Sequence, residues 1–443
     1  MASADVIAAI ATAPGRAGIG VVRVSGPSLE GFARRITGGS EPPAPRQARH
    51  VRFRDGAGEV IDEGLLIYFQ APASFTGEDV VELQGHGGDA VLRLLLARCL
   101  ELGARLARPG EFTQRAFFNQ KIDLVQAEAV ADVIAAESAA AARGAMRSLT
   151  GQFSHKVHAL VERLVALRLR VEGSIDFADE AVDFLEQTDL RQTLSSLRDA
   201  IDTLLGTATQ GLLLRSGCRV VLIGAPNVGK SSLLNAIAEE EHALVTEVPG
   251  TTRDVIRASV SIDGVPFHMV DTAGIRETAD LVEQAGIERT WKAAGQADLA
   301  LVVADIRSGL TEADRQWMSR LPQDLPCEVV FNKADLVPPP ARGAYVPAIS
   351  AKTGEGIPEL KQRLLHWVGW NPGPEPVFLA RERHREALLQ AHSHLTAALA
   401  QEEALEFLAE ELRLAQKALS DITGEFSPDD LLGEIFSRFC IGK

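Results

Sequence analysis

In the first 118 residues, segments with the apolar spacing of a strand alternate with segments that have the spacing of a helix. Short apolar runs predict strands, longer periodic runs predict helices, and proline or glycine clusters at 41–45 and 84–88 separate them. The strands are predicted at residues 6–11, 20–24, 64–69 and 79–83, and the helices at 29–35 and 88–102. This mixture predicts a small α/β domain at 1–118.

From about residue 119 the pattern becomes helical, with apolar residues three or four positions apart and almost no proline. The periodic positions are Val157, Leu160, Val161, Leu164, Leu167 and Val171, then Leu190, Leu194, Leu197, Ile201 and Leu204, and later the whole run 388–419. A second α/β pattern interrupts them. We therefore predict one helical domain in two parts, 119–214 and 372–443, with another domain inserted at 215–371.

The inserted domain opens with a glycine-rich segment between a predicted strand at 219–223 and a predicted helix. The segment reads GAPNVGKS from Gly224 to Ser231, which fits GxxxxGKS. Glycines let backbone N–H groups surround phosphates at the start of a helix, Lys230 adds positive charge, and the Ser231 hydroxyl can coordinate magnesium. The pattern predicts a P-loop.

Three further motifs follow the P-loop in order. Asp271 begins DTAG at the end of the strand pattern FHMV, where a carboxylate can hold magnesium through water and Gly274 can contact the γ-phosphate. NKAD at 332–335 follows the predicted strand CEVVF, and the Ser350-Ala-Lys segment follows the predicted strand YVPAI. Asp335 can accept two hydrogen bonds from a guanine edge, which adenine does not offer. The order of the motifs predicts a GTPase.

Composition limits the class of protein. With 443 residues, 46% hydrophobic and 24% charged, the chain predicts several globular domains. A net charge of -15 argues against a protein that coats nucleic acid non-specifically. No apolar run reaches the roughly 18 residues of a membrane span and no leader pattern is visible, so a cytoplasmic protein is expected. The dispersed cysteines Cys99, Cys218, Cys327 and Cys440 are interpreted as free thiols.

Several longer motifs together resemble one family of GTPases. They are ATAPGRAGIGVVRVSG, SFTGEDVVELQGHGG, RPGEFTQRAFFNQKIDLVQAEAVADVI, the GTTRD of 250–254 and the terminal FCIGK. Over its whole length the chain resembles the MnmE (TrmE) tRNA modification GTPases, which belong to the TrmE-Era-EngA-like GTPases. The motifs show no departure from that family.

The resemblance implies a fold class and a set of partners. The fold is multidomain, α/β and all-α: a Ras-like P-loop GTPase domain inserted in a helical domain, preceded by a small α/β domain for folate binding and dimerisation. It implies a homodimer that uses Mg²⁺, K⁺ and formyl- or methylene-tetrahydrofolate. With the FAD-dependent MnmG (GidA), in a heterotetramer, it would add an aminomethyl or carboxymethylaminomethyl group to the wobble uridine of certain tRNAs.

The motifs and the resemblance also predict binding residues. Those for GTP are Asn227, Val228, Gly229, Lys230, Ser231, Ser232, Thr246, Glu247, Val248, Pro249, Gly250, Thr251, Thr252, Asp271, Thr272, Ala273, Gly274, Asn332, Lys333, Ala334, Asp335, Ser350, Ala351 and Lys352. Those for magnesium are Ser231 and Thr252, and those for potassium are Asn227, Thr246, Val248 and Thr251. Those for folate are Arg23, Glu82, Lys121 and Lys443.

Two catalytic residues are predicted from the resemblance. Many small GTPases place a water-orienting glutamine directly after the glycine of DxxG, but here that position is Ile275, whose side chain cannot orient water. The resemblance assigns the role to Glu283, acting through a bridging water, and assigns to potassium the charge that an arginine finger would otherwise neutralise. It also places Cys440 beside the folate, as a nucleophile or proton-transfer group.

Several of the predicted site residues could instead have an ordinary structural role. Arg23 could be a solvated charge at a strand edge, whereas Glu82, inside the apolar run VVELQ, needs a partner. Glu283 could be a surface glutamate, and the terminal FCIGK could be frayed and dispensable. His86 receives no role. For the whole chain, the alternatives are a ribosome-assembly or signalling GTPase switch, or a scaffold whose oligomeric state follows the nucleotide.

Overall fold

A computed structural model defines the fold in two compact units. It describes residues 5–39, 43–176, 187–240, 258–271, 294–338, 347–371, 373, 376–401, 404–425, 429–437, 439 and 442. The first unit combines Met1–Ile134, Arg147–Ile201 and Ala387–Lys443, and the second combines Ala135–Met146 with Asp202–Glu386. The predicted limits 118/119, 214/215 and 371/372 remain predictions.

The first unit contains a six-stranded sheet. Its strands are β1 (Ile7–Ile10), β2 (Ala17–Gly26), β3 (Arg49–Arg54), β4 (Val60–Phe69), β5 (Asp79–Gly87) and β6 (Arg105–Leu106). Their order is β3-β4-β5-β2-β1-β6, and the pairs are antiparallel except β1 with β6. The four predicted strands are confirmed, whereas β3 and β6 were not predicted.

Two helices cover one face of this sheet. They are α1 (Glu30–Thr37) and α2 (Asp89–Glu101), which match the two predicted helices. Phe32 and Leu95 pack on strand residues such as Val22 and Leu83 in one buried core, which also takes in Cys99. Because side chains alternate along a strand, Arg23 and Glu82, the neighbours of Val22 and Leu83, lie on the opposite face.

A buried ion-pair network joins the sheet to α3 (Glu111–Phe118). Arg115, which is 7% exposed, donates to Glu78 at 2.9 Å, to Glu111 at 3.3 Å and to Asp5 at 2.9 Å. Arg105 adds a second cation by donating to Glu111 and Asp5. With the Arg108 guanidinium, which lies 3.5 Å from Glu111, three arginines thus pair with three carboxylates, which is the condition under which charges are tolerated in an interior.

The other described helices of the first unit are mostly long, and some of them include residues that are assigned to the second unit. In chain order they are α4 (Leu124–Ala135), α5 (Ala139–Leu149), α6 (Gln152–Asp176), α7 (Gln187–Ser216) and, after the helices α8–α10 of the second unit, α11 (Glu382–Ala400), α12 (Leu405–Thr423) and α13 (Asp429–Ser437). Every periodic position predicted for 157–171 and 190–204 lies in α6 or α7. The run 388–419 is two helices, because α11 ends at Ala400 and α12 begins at Leu405.

The second unit contains a five-stranded sheet. Its strands are β7 (Cys218–Ile223), β8 (Ala258–Ile262), β9 (Val265–Asp271), β10 (Leu299–Asp305) and β11 (Cys327–Asn332), in the order β11-β10-β7-β9-β8. Among the described residues, the helices beside it are α8 (Lys230–Glu240), α9 (Glu312–Ser319) and α10 (Ile357–Trp367). All strand pairs are parallel except β8 with β9. The carboxyl ends of β7, β10 and β11 therefore meet at one edge.

The predicted strand YVPAI is described only from position 347 onward. There it pairs with β11 through an isolated parallel bridge between Ala348 and Phe331. A proline at position 347 cannot donate a ladder hydrogen bond, which limits the pairing. Separately, none of the helices in the described ranges combines the length and apolar character needed to cross a membrane.

Candidate nucleotide and cofactor sites

The glycine-rich loop from Gly224 to Gly229 links β7 to α8. Gly224 and Gly229 have φ values of 151° and 97°, in the region that favours glycine. A Cβ at Gly224 would collide with the Val303 carbonyl oxygen, and one at Gly229 would collide with the Asn332 amide nitrogen. These two glycines therefore let the loop lie directly against the ends of β10 and β11. The sequence prediction of a strand–loop–helix P-loop is confirmed.

Lys230 is the first residue of α8 and is held over this loop. Its ammonium donates to the carbonyl oxygens of Gly224 at 2.6 Å and Ala225 at 3.1 Å, and the residue is 8% exposed. A buried cation at a helix N-terminus, where backbone N–H groups also point outward, favours an anion. Ser231 and Ser232 follow on the exposed side of the same helix turn.

Asn332 connects the loop to the NKAD motif. Its amide nitrogen donates to the Val228 carbonyl at 2.8 Å, and its amide oxygen accepts from the backbone N–H groups of Lys333 at 2.7 Å and Ala351 at 3.0 Å. The side chain is buried, so these bonds satisfy groups that water cannot reach. One asparagine thus fixes three predicted binding segments: the P-loop, NKAD and the segment from Ser350 to Lys352.

Asp335 is positioned by Ser350. The fully buried Ser350 hydroxyl donates to the Asp335 carboxylate at 2.7 Å and accepts from the Thr353 backbone N–H at 3.2 Å. Asp335 itself is exposed, in a short 3₁₀ turn, Ala334–Leu336. One carboxylate oxygen is therefore anchored while the group as a whole faces outward, as an acceptor for ring N–H and amino groups requires.

Asp305 is a part of this site that the sequence analysis missed. It ends β10, between β7 and β11, and accepts from the Lys333 ammonium at 2.9 Å. The same ammonium donates to the Asn227 carbonyl at 2.7 Å, and Asn227 has a φ of 65°. The hydrogen bonds from Arg307 first, and those from Lys333 next, hold the pKa of Asp305 far below its ordinary value. The sequence signal that could have identified Asp305 is its position at the end of the apolar run LALVVAD.

A second cluster of predicted residues lies on the open face of the six-stranded sheet. Arg23 of β2 and Glu82 of β5 are register partners, and Glu82 accepts from two nitrogens of Arg23 at 2.9 and 3.1 Å. Their side chains are 25% and 17% exposed. Arg23 lies in the middle of a ten-residue interior strand, so the interpretation as a solvated edge charge is wrong. The expected partner of Glu82 is Arg23.

The end of the chain reaches this pair. Gly442 is buried, has a φ of 96°, and its carbonyl lies 3.5 Å from an Arg23 nitrogen. A Cβ there would meet the Ile10 carbonyl at 2.5 Å, so this glycine allows the tail to lie against β1. Phe439 is buried with Leu124 and Phe436. The interpretation of the tail as frayed is therefore wrong for Phe439 and Gly442.

Lys121 was also predicted to bind folate. Lys121 is exposed and donates to the Pro72 carbonyl at 3.0 Å, so its described contact differs from those of Arg23 and Glu82. His86, left without a role, lies at the end of β5 with its Nδ1 2.7 Å from the carboxylate of Asp62. Burial would by itself raise the pKa of Asp62, but hydrogen bonds from His86 and Glu63 lower it.

Several predicted residues lie outside the described part of the chain. They are Thr246, Glu247, Val248, Pro249, Gly250, Thr251, Thr252, Thr272, Ala273, Gly274, Ile275, Glu283, Cys440 and Lys443. Asp271 is described as the last residue of β9, without its side chain. Of the other cysteines, Cys99 and Cys218 are free and buried, and burial raises the pKa of each thiol to about 12.

Comparison with known proteins identifies the family. The family model for the MnmE helical domain matches residues 124–440, and the one described as GTP-binding protein TrmE N-terminus matches 6–121. The chain belongs to the MnmE family of tRNA modification GTPases. It is 55% identical to the tRNA modification GTPase MnmE of Chromobacterium violaceum over 99% of this chain and 98% of that protein. The MnmE proteins of Azoarcus sp. and Bordetella parapertussis are 56% and 57% identical over 99% of this chain and 98% and 99% of their own lengths.

Membership of the MnmE family confirms the resemblance and the predicted fold class. The folding of residues 218–223 and 230–240 into a strand and a helix around the glycine loop agrees with a GTPase of this family. The family membership favours tRNA modification over the alternative of a ribosome-assembly or signalling switch.

Proposed function

We propose that this protein hydrolyses GTP and, with the FAD-dependent partner MnmG in a heterotetramer, modifies the wobble uridine of certain tRNAs in the cytoplasm. The product is an aminomethyl or carboxymethylaminomethyl group on the ring carbon. The observation that carries the proposal is the meeting of Lys230, Asn332 and Asp335 around the ends of three neighbouring parallel strands. A phosphate-binding loop and a guanine-reading carboxylate are thus joined in one site.

The nucleotide site fits GTP in its described half. Lys230 and the N–H groups at the start of α8 bind phosphate oxygens, while Asp335, anchored by Ser350, accepts from the guanine edge. Ser231, at the first turn of α8, and Thr252 would hold magnesium, and Asp271 would contact it through water. Bound magnesium neutralises charge on the phosphates during hydrolysis.

Potassium is proposed as the second ion of this site. Asn227 would hold it together with Thr246, Val248 and Thr251. Asn227 is exposed at the tip of the loop, and its backbone is fixed by the hydrogen bond from Lys333 at 2.7 Å. The ion supplies positive charge beside the phosphates, as an arginine would in other GTPases. We infer that the potassium site is completed when two GTPase domains meet. Glu283 orients the attacking water.

Formyl- or methylene-tetrahydrofolate is proposed for the face that carries Arg23 and Glu82. The fit rests on a half-buried ion pair beside the buried Gly442 carbonyl, with Phe112 under the Arg23 guanidinium at 5.9 Å. Glu82 can accept from the N–H groups of a pteridine, and Arg23 can donate to its oxygen. Lys121 and Lys443 would complete the site, and the homodimer would form through this domain. The folate supplies the one-carbon group when it is bound.

Two measurements on the purified full-length protein test these assignments. GTP turnover should be much faster in potassium chloride than in sodium chloride at matched ionic strength, and Lys230→Ala should abolish it. Equal turnover in the two salts would contradict the potassium site.

Binding of 5-formyltetrahydrofolate, followed by isothermal calorimetry, tests the second site. Arg23→Ala should weaken binding at least tenfold, because it removes a half-buried charge-assisted donor. The matched control is Arg52→Ala, on β3 of the same sheet, whose ion pair with Glu63 is exposed. Equal affinities of the two variants would contradict the folate site.

A further inference from the structure

Arg307 lies beside the nucleotide site in an orientation fixed by Asp305. Its Nε donates to one carboxylate oxygen of Asp305 at 3.0 Å, its Nη2 donates to the other at 2.6 Å, and its backbone N–H donates at 3.0 Å. The guanidinium is thereby held in the plane of the carboxylate by a two-point contact. Its side chain is nevertheless 55% exposed, so one part of the guanidinium is accessible.

The same carboxylate ties Arg307 to both halves of the nucleotide site. Asp305 accepts from the Lys333 ammonium at 2.9 Å, and that ammonium also donates to the Asn227 carbonyl of the P-loop at 2.7 Å. The backbone N–H of Ile306 donates to the Asn332 carbonyl at 3.0 Å. The segment that carries Arg307 is therefore fixed to NKAD by two hydrogen bonds, and Lys333 connects it to the P-loop through a third.

The sheet topology places this segment in the path of the nucleotide. The P-loop follows β7 and NKAD follows β11, and β10, which ends at Asp305, lies between those two strands. A nucleotide with its phosphates on the P-loop and its base on Asp335 therefore crosses the carboxyl end of β10. The hydrogen bonds that Arg307 donates to Asp305, then the charge of Asp305 and last that of Asp335, raise the pKa of Arg307. The guanidinium is thus within electrostatic range of the base-reading carboxylate.

We propose that Arg307 is a nucleoside-binding residue whose guanidinium, held by Asp305, packs against the face of the guanine base. A guanidinium is planar and weakly hydrated, and it stacks on aromatic rings and nucleobases. A lysine ammonium has neither property. The contact adds to the reading of the guanine edge by Asp335, and it acts on the nucleoside rather than on the phosphates. The inference rests on the proposed GTP site.

Equilibrium binding of GDP and GTP to the full-length protein tests this contact. Arg307→Ala should weaken both nucleotides by the same factor, roughly fivefold, which is the size of a cation–π contact at a partly exposed site. Arg307→Lys keeps the charge but not the plane, so it should recover little of the lost affinity. The matched control is Arg363→Ala, because Arg363 is a similarly exposed arginine that donates to Glu328 in the same unit. That variant should bind both nucleotides like the wild type.

Three results would overturn the inference. Unchanged affinity in Arg307→Ala, with or without a lower melting temperature, would leave the residue a structural partner of Asp305. Weakening of GTP alone would place Arg307 at the γ-phosphate. Full recovery in Arg307→Lys would show that charge, and not packing on the base, is what matters. Failure of the wild type to bind either nucleotide would instead contradict the proposed GTP site.

Discussion

Replacing Glu111 by glutamine removes one negative charge from the buried ion-pair network of the first unit. Glu111 begins α3, is 2% exposed, and accepts from Arg105, from the Arg108 backbone N–H and from Arg115. Glutamine has nearly the same shape but no charge. The variant should therefore leave the cavity filled while leaving the guanidiniums of Arg105 and Arg115 with one carboxylate fewer, and the unit should lose stability.

The magnitude follows from the pKa of Glu111. Burial alone would raise this pKa, but the hydrogen bonds from Arg105, Arg108 and Arg115 and the charge of Arg105 outweigh burial and lower it from 4.5 to about 2. Linkage converts that difference into about 3 kcal/mol of stability at pH 7. Since the folded-state pKa is the lower one, the contribution is complete above pH 4.5 and is lost as the pH falls towards 2. About 2 kcal/mol should remain at pH 3.5.

Native-state hydrogen exchange measures this contribution locally, which suits a chain with more than one unit. Wild type and Glu111→Gln are compared at the same pH, so that intrinsic exchange rates cancel, on peptides that cover β6 and α3. The ratio of protection factors should be roughly 300 at pH 7 and roughly 30 at pH 3.5.

The matched control is Glu101→Gln. Glu101 accepts from Arg98 at 3.0 Å, but its side chain is 60% exposed, so the variant should change protection by less than about threefold at either pH. A Glu111→Gln variant that behaves like this control would refute the reasoning, and so would a ratio that does not fall between pH 7 and pH 3.5.

Three further predictions concern the chemistry of the sites. Asp335→Asn replaces an acceptor by a donor, so GTP binding should weaken and xanthosine nucleotides should be preferred; competition binding that still favours GTP as strongly as the wild type would count against the assignment. Glu283→Ala should lower GTP turnover with nearly unchanged nucleotide affinity, because the proposed role is in the transition state; a matching loss of affinity would indicate a structural role. Cys440→Ser should abolish tRNA modification in cells while GTP hydrolysis continues, and normal modification in that strain would show that the tail is not catalytic.

Local signals in the sequence were sufficient for the P-loop of the nucleotide site. The spacing of Gly224, Gly229 and Lys230 requires only neighbouring residues to be interpreted, and it places the loop between a strand and a helix as observed. Periodicity identified α6 and α7 because each buries one continuous apolar stripe. An acidic residue in an apolar strand indicated that Glu82 needs a partner, and Arg23 is that partner.

Contacts between distant segments could not be predicted in this way. Asp305 and Lys333 are joined because β10 and β11 are neighbours, and strand order has no local signal. Gly442 lies against Ile10 and beside Arg23 although more than 400 residues separate them, which only the folded chain reveals. Strand β3, with the sequence RHVRFR, was missed because it has only two apolar residues, both on its inward side, and the charged residues around them leave no apolar run to recognise.

Nucleoside analysis of tRNA from a strain that lacks this gene tests the central claim most directly. The account predicts that the aminomethyl and carboxymethylaminomethyl groups at the wobble uridine disappear, that the wild-type gene restores them, and that the Lys230→Ala gene does not. The matched Arg363→Ala gene should restore them fully. Unchanged wobble uridine modification in the deletion strain, or full restoration by Lys230→Ala, would contradict the account.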